Sequence, residues 1–236
     1  MARVTNEHTE THTVAIPVGV ALRGDLSLTS GATGIVVFAH GSGSSRLSTR
    51  NQRVAGRLQA GGFATLLFDL LTSEEESLDA HTGHLRFDIP LLAERLARVT
   101  NWLDSQTATH GLRVGYFGAS TGAAAALVAA AGLPTLVRAI VSRGGRPDLA
   151  GPYLGRVTAP TLLIVGGEDT PVIAMNRTAL QQLTSVTKQL VIVPGATHLF
   201  EEPGTLDRVS DLALAWFEQH LATGHASSDM PESTRR

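Results

Sequence analysis

Short apolar runs alternate with segments of helical periodicity along most of the chain. Residues 34–39 (GIVVFA) and 63–68 (FATLLF) are unbroken apolar runs, which indicates strands covered on both faces. Further strands are predicted at residues 112–117, 136–141, 161–165 and 189–193. Helices are predicted near residues 49–60, 88–103, 123–131 and 171–183, with a last helix whose apolar face ends at Phe217. Because strand and helix alternate from residue 34 onward, we expect an α/β fold with a mostly parallel sheet and helices on both faces.

The remaining segments complete the predicted domain. Residues 13–18 and 20–28 alternate around Gly19 and predict an antiparallel hairpin at a sheet edge. Residues 1–13 are interpreted as a flexible leader, 14–221 as the folded domain, and the polar residues 222–236 as a disordered tail. Residues 70–85 are acidic and lack clear periodicity, so we expect a loop or a short lid there.

A glycine-flanked serine lies at the centre of this pattern. Gly118-x-Ser120-x-Gly122 falls between the strand at 112–117 and an alanine-rich helix, as in a strand-turn-helix nucleophile elbow. Small neighbours are needed because strand and helix backbones approach each other closely at such a turn. The alternative is a tight turn in which Ser120 merely caps the helix.

Two further residues complete a possible catalytic triad. In a parallel sheet, ligands bind beyond the carboxyl ends of the strands, and Ser120, Asp169 and His198 each follow such an end. Histidine is the base suited to neutral pH, and a carboxylate fixes its tautomer. The order serine, acid, histidine is that of α/β-hydrolases. Glu168 and then Asp148 are the alternative acids, Asp169 could instead cap a helix, and His198 could be an ordinary loop histidine.

An acyl-transfer site also needs donors for the developing oxyanion. The backbone N–H of Thr121 follows the nucleophile, and the second donor is predicted to be the N–H of Ser42 in the loop His40-Gly41-Ser42-Gly43. This loop could alternatively bind phosphate, but it lacks the lysine of a P-loop.

Composition narrows the classes of partner. The chain has 236 residues, 43% hydrophobic and 17% charged, with a net charge of −2. Nothing in this balance favours nucleic acid or an anionic membrane as a partner. The absence of cysteine excludes disulfides and a cysteine nucleophile. The polar N-terminus has no signal-peptide pattern, and residues 123–134 are too short to span a bilayer, so we expect a cytoplasmic protein.

Several charged side chains have two possible roles. His81 and His84 near Asp79 could bind a metal, but a solvated lid explains them better, and no metal site is predicted. Arg143 and His40 are candidate substrate contacts at the same rim. Arg143, Arg146 and Arg46 could bind a substrate carboxylate, or they could anchor loops by pairing with Asp148 or Asp69.

The four motifs FAHGSG (38–43), GASTG (118–122), GGED (166–169) and GATH (195–198) together resemble the dienelactone hydrolase-like branch of the α/β-hydrolases. The resemblance implies a sheet of about eight strands, a Ser/Cys–Asp–His triad (here Ser120, Asp169 and His198), and hydrolysis of esters or lactones without a cofactor. Dienelactone hydrolase itself uses a cysteine nucleophile. Since serine stands at that position here, general esterase activity on a small ester or lactone is expected. Acyl transfer, perhydrolysis and a non-catalytic binding module are the alternatives, and the protein is expected to be a monomer or homodimer.

Overall fold

A computed structural model describes residues 9–221 of the chain. Its strands are β1 Thr9–Pro17, β2 Ala21–Thr29, β3 Gly34–Ala39, β4 Ala64–Phe68, β5 Arg113–Ala119, β6 Val137–Arg143, β7 Thr161–Gly166 and β8 Lys188–Val193. Its α-helices are α1 Thr49–Ala60, α2 Ser73–Thr82, α3 Ile89–Ser105, α4 Thr121–Gly132, α5 Thr170–Gln182 and α6 Thr205–Leu221. Two 3₁₀ segments, Leu85–Phe87 and Pro147–Arg156, complete the set.

The eight strands form one sheet in the order β1-β2-β4-β3-β5-β6-β7-β8. The first two strands form the predicted antiparallel hairpin at the edge, and β2 pairs antiparallel with β4. Every pair from β4 to β8 is parallel, which confirms the mostly parallel α/β sheet. The carboxyl ends of β3, β5, β6, β7 and β8 therefore lie at the same edge of the sheet, where the sequence predicted the site.

Helices cover both faces of the sheet, and the side chains of β3 point alternately into the two cores that result. Ile35 and Val37 pack in the core beneath α3 and α4. Val36 and Phe38 pack in the core beneath α1 and α6. All four side chains are nearly inaccessible to solvent, so a continuous apolar run is what this strand requires. The two cores enclose the central strands of the sheet from both faces. The loops that carry the candidate site residues extend from the carboxyl ends of these strands.

The first strand begins within the segment interpreted as a leader. Residues 9–13 form the first half of β1 and pair with β2. Threonine and serine side chains support this pairing, with Thr9 Oγ1 3.1 Å from Thr29 Oγ1 and Thr11 Oγ1 2.8 Å from Ser27 Oγ. The segment is polar because its side chains are exposed at a sheet edge, and polarity alone therefore suggested a leader. Residues 1–8 and the predicted tail at 222–236 lie outside the described residues.

Residues 70–85 were predicted to form a loop or a short lid, and the prediction of a loop is wrong because Ser73–Thr82 forms α2. The Thr72 hydroxyl accepts from the N–H of Glu75, and the Glu75 carboxylate accepts from the N–H of Thr72. This capping box starts the helix, and Gly83 in the left-handed conformation ends it. The helix has no apolar stripe, and its contacts with the rest of the domain are made by charged side chains.

Two ion pairs fasten α2. Arg95 of α3 contacts both carboxylate oxygens of Glu75, at 2.7 and 2.6 Å. Arg86 donates to Oδ2 of Asp79 at 2.6 Å, and Asp79 is buried. Burial acts to raise the pKa of Asp79, but hydrogen bonds from Arg86 and the Leu85 N–H outweigh it and the pKa is lowered. The acidic residues of α2 thus serve partly as structural anchors.

Candidate active site

Ser120 has a strained backbone at the tip of the turn between β5 and α4. Its dihedral angles are φ 50° and ψ −119°, a region that non-glycine residues rarely occupy. Holding a residue there costs about 1–3 kcal/mol, so the surroundings must stabilise it. The N–H of Ser120 donates to the Arg143 carbonyl at 3.3 Å, and its own carbonyl accepts from the N–H groups of Ala123 and Arg146, both at 3.1 Å. The Ser120 side chain makes no helix-capping hydrogen bond, which disfavours the capping alternative.

The two glycines of the turn are required by close backbone contacts. A Cβ atom at Gly122 would overlap the carbonyl oxygens of Ala39 and His40. A Cβ atom at Gly118 would overlap the backbone of Ala123. The helix therefore begins directly against the end of β3, which brings the loop after β3 beside Ser120. An added Cβ at Gly41 in that loop would lie 3.0 Å from Cβ of Ser120.

Asp169 and His198 form a hydrogen-bonded pair at the same rim. Asp169 follows β7, His198 follows β8, and Nδ1 of His198 lies 2.6 Å from Oδ2 of Asp169. The carboxylate is an obligate acceptor when ionised, so Nδ1 carries the hydrogen and Nε2 is left to act as a base. The Asp169 side chain is 13% exposed and that of His198 is 39% exposed. A shielded carboxylate behind a more open imidazole is the arrangement that general-base catalysis needs.

The alternative acids do not form this contact. Asp169 stands at the N-cap position of α5, yet its side chain makes no capping hydrogen bond. Glu168 is exposed, and Asp148 is held by Arg146 in a two-point ion pair of 2.9 and 2.8 Å. Asp169 is therefore the carboxylate that the structure brings to His198.

The loop after β3 contacts the start of α4 through one notable hydrogen bond. The N–H of Ser42 donates to Oγ1 of Thr121 at 2.9 Å. Gly43 in this loop has a positive φ of 68°, a conformation that glycine adopts without steric cost. Ser42 and Thr121, the two predicted oxyanion donors, therefore lie side by side. Both line a small cavity of about 30 Å³ that Leu70, Leu92 and Arg86 also line.

His40 connects two loops through both ring nitrogens. Its Nε2 accepts from the N–H of Leu70 at 3.0 Å, so the hydrogen is on Nδ1, which lies 3.0 Å from the Gly41 carbonyl oxygen. Burial lowers the pKa of His40 and keeps the ring neutral. His40 lines the cavity, but both of its polar atoms are engaged by backbone.

Two of the three arginines at the rim pair with carboxylates. Arg46 contacts Asp69 at 2.7 Å and Asp25 at 3.2 Å. Arg146 pairs with Asp148 as described above. Both contacts match the loop-anchoring alternative.

Arg143 differs from these two. It is 7% exposed, and no described carboxylate lies within ion-pair distance of its guanidinium. Its Nη1 lies 3.4 Å from the Leu199 carbonyl oxygen, and the guanidinium carbon is 5.9 Å from the centre of the Phe200 ring. Burial, reinforced by the positive charge of Arg50, lowers the pKa of Arg143 to about 10. Arg143 therefore contacts the segment that carries His198.

The sequence patterns do not predict that helix α2 borders the small cavity, where Glu76 and Asp79 are among the lining residues. The capping box of α2, Thr72-x-x-Glu75, is a sequence signal for the start of a helix.

His81 and His84, the histidines considered as metal ligands, are exposed on α2 and just beyond it. Within residues 9–221, no cluster of three or more His, Cys, Asp or Glu side chains is arranged to hold a metal ion. None of the helices in the same range is long and apolar enough to cross a membrane.

Comparison with known proteins agrees with this architecture. Residues 25–220 match the dienelactone hydrolase family. A crystal structure of dienelactone hydrolase from Anabaena variabilis is 60% identical, with a TM-score of 0.89 over 91% of this chain and 99% of that one. Est1E from Butyrivibrio proteoclasticus has a TM-score of 0.73 over 90% of this chain and 99% of that one, but at 14% identity it supports the fold alone.

Two curated relatives come from Mycobacterium tuberculosis and carry the provisional name phosphoribosyl transferase. Each is 61% identical over 212 residues, which is 90% of this chain and 46% of the relative. The chain therefore spans about half the length of these relatives, and their name refers to the longer protein. The matched range includes all of the motifs at the rim, and the chain belongs to the dienelactone hydrolase family.

Proposed function

We propose that this protein is a serine hydrolase that cleaves small carboxylic esters or lactones through an acyl-enzyme. The observation that carries the proposal is the 2.6 Å contact between His198 and Asp169, on the rim that also bears the strained Ser120. The family match and the name of the Anabaena relative support hydrolysis as the reaction class.

In the first half of the reaction, Oγ of Ser120 attacks the ester carbonyl carbon while its proton passes to Nε2 of His198. Asp169 stabilises the resulting imidazolium and keeps the ring in the required orientation. The carbonyl π electrons move to the carbonyl oxygen, which is stabilised by the backbone N–H of Thr121 and by a second donor where Ser42 and Thr121 meet. His198 then returns the proton to the departing alkoxide, leaving the acyl group on Ser120.

In the second half, a water molecule repeats this sequence on the acyl-enzyme. His198 takes a proton from water, the new hydroxyl bonds to the acyl carbon, and Ser120 leaves with the proton from His198. The partial exposure of the His198 side chain supports access for water and small substrates.

Turnover of a short p-nitrophenyl ester tests the proposal. The wild type should release p-nitrophenol, and Ser120→Ala should reduce kcat by about 10⁴-fold or more. Ser45→Ala, in the loop after β3, is a matched control because, among residues 9–221, the Ser45 hydroxyl contacts only a local N–H, that of Leu47 at 3.2 Å. Undiminished turnover by Ser120→Ala would exclude Ser120 as the nucleophile.

A further inference from the structure

The predicted oxyanion donor Ser42 is not a free amide. Its N–H is already donated to Oγ1 of Thr121 at 2.9 Å. A substrate oxygen can use this hydrogen only if the contact to Thr121 is broken. The threonine hydroxyl therefore stands where the second donor was expected to act.

Thr121 itself has two donors that find no acceptor in the described part of the chain. As the first residue of α4, its backbone N–H has no partner within the helix. Its hydroxyl accepts from Ser42, and no residue in the described range 9–221 accepts the hydroxyl hydrogen in return. The residue is only 2% exposed, so bulk water does not readily satisfy this hydrogen.

A buried hydroxyl without an acceptor is costly, which suggests that the acceptor arrives with the substrate. The hydrogen bond from Ser42 draws electron density from Oγ1 and makes its hydrogen a stronger donor. One residue can in this way direct a backbone N–H and a side-chain O–H at the same oxygen.

We propose that the Thr121 hydroxyl is an oxyanion donor, and that the Ser42 amide acts through it rather than on the substrate directly. This inference rests on the proposed function. When the bond from Ser120 Oγ to the carbonyl carbon forms and the π electrons move to oxygen, that oxygen accepts from both the N–H and the O–H of Thr121. No proton leaves Thr121, since both groups only donate hydrogen bonds.

The alternative is that the Thr121 side chain rotates away and the Ser42 N–H contacts the oxyanion directly. The two arrangements make opposite predictions for loss of the hydroxyl. If the hydroxyl is the donor, removing it weakens catalysis. If it only blocks the amide, removing it leaves catalysis unchanged or improves it.

The test compares Thr121→Ser, Thr121→Val and Thr121→Ala in ester hydrolysis and in binding of an aryl trifluoromethyl ketone. This ketone forms a hemiketal oxyanion on a nucleophilic serine, so its affinity reports stabilisation of the charged oxygen. We expect Thr121→Val and Thr121→Ala to lower kcat about 100-fold with little change in KM, which is the usual effect of losing one oxyanion donor. The affinity of these two variants for the ketone should fall by a similar factor. In Thr121→Ser, kcat and ketone affinity should stay within about threefold of the wild-type values.

Controls separate this inference from simpler explanations. Thr49→Val changes the exposed threonine that begins α1 and should alter neither kcat nor the inhibition constant. The inference would be overturned if Thr121→Ala kept the kcat and the ketone affinity of the wild type. It would also be overturned if kcat and ketone affinity fell as much in Thr121→Ser as in Thr121→Val. A rise in KM and loss of thermal stability with unchanged kcat would also overturn it, because that pattern indicates a structural role. Ser120→Ala is measured in parallel: if it retains turnover, the proposed function fails, whatever the Thr121 variants do.

Discussion

Nδ1 of His198 lies 2.6 Å from Oδ2 of Asp169, and these residues are 29 positions apart on the loops after β8 and β7. The contact fixes the tautomer in which Nε2 is free to accept a proton. Asp169→Asn keeps the shape of the side chain but offers an amide that can stabilise the wrong tautomer. We expect kcat to fall by about 10⁴-fold while KM changes little.

Glu168→Gln is the matched control for this experiment. Glu168 is the neighbouring acid, it is exposed, and its backbone N–H rather than its carboxylate contacts the His198 loop, at Ala196. Activity in Glu168→Gln should stay near that of wild type. A larger loss in this variant than in Asp169→Asn would assign the acid role to Glu168.

Gly122 should tolerate no side chain. An added Cβ would overlap the carbonyl oxygens of Ala39 and His40, and neither backbone group can move without disturbing β3. We expect Gly122→Ala to lower the free energy of unfolding by about 3 kcal/mol, measured by urea denaturation. Gly132→Ala, at the other end of α4, meets nothing within 4 Å and should be neutral or stabilising by up to about 1 kcal/mol. Equal stability of the two variants would contradict the tight helix-to-strand contact.

The ion pair between Glu75 and Arg95 should make stability depend on pH. Hydrogen bonds from Arg95 lower the pKa of Glu75 below its ordinary value of 4.5, against the opposing effect of burial. A carboxyl group whose pKa is lower in the folded than in the unfolded state stabilises the fold at any pH above its unfolded-state pKa. This stabilisation is lost as the pH falls from there through the folded-state pKa. Glu75→Gln should therefore lower the melting temperature by about 5 °C near neutral pH, with a difference that shrinks as the pH falls below the ordinary pKa of 4.5.

Glu74→Gln on the same turn of α2 is the control, since Glu74 is exposed and forms no ion pair within the described part of the chain. Its melting temperature should follow that of wild type at every pH. A Glu75→Gln difference that stays constant down to low pH would mean that the ion pair does not cause the stabilisation.

Arg143 is expected to position the His198 loop rather than bind substrate. Its guanidinium contacts the Leu199 carbonyl and the Phe200 ring, and Phe200 has a positive φ of 57° that needs such support. Arg143→Met should lower kcat/KM about tenfold for neutral esters and for carboxylate-bearing esters alike, because a loosened His198 is misplaced for both. Arg146→Met removes only the exposed pair with Asp148 and should have little effect.

The two ester types decide between the roles of Arg143. A loss confined to the carboxylate-bearing ester would make Arg143 a substrate contact. Arg143→Lys should restore little, since a lysine cannot reproduce the planar guanidinium that lies over the Phe200 ring.

The sequence predicts the parts of this site that depend on local pattern and on strand order. The turn at Ser120 can be predicted from its glycines. A side chain at either glycine would collide with backbone that lies a few residues away or at the end of the neighbouring strand β3. Asp169 and His198 are predictable because a parallel sheet brings the carboxyl ends of β7 and β8 to one rim.

Features that depend on loop conformation could not be predicted in this way. The hydrogen bond from Ser42 to Thr121 joins residues 79 positions apart, and no residue pattern encodes it. The direction of the Arg143 side chain depends on where the loop after β8 presents Leu199 and Phe200. Helix α2 was missed because its contacts are ionic and periodicity analysis detects apolar faces.

Covalent labelling tests directly whether Ser120 is the activated nucleophile. A fluorophosphonate reacts with an activated serine whatever the physiological ester is, and intact-mass detection followed by peptide mapping locates the adduct. We predict a single adduct on Ser120, absent in Ser120→Ala and formed much more slowly in Asp169→Asn. An adduct on another residue, or equal labelling of Ser120→Ala, would contradict it.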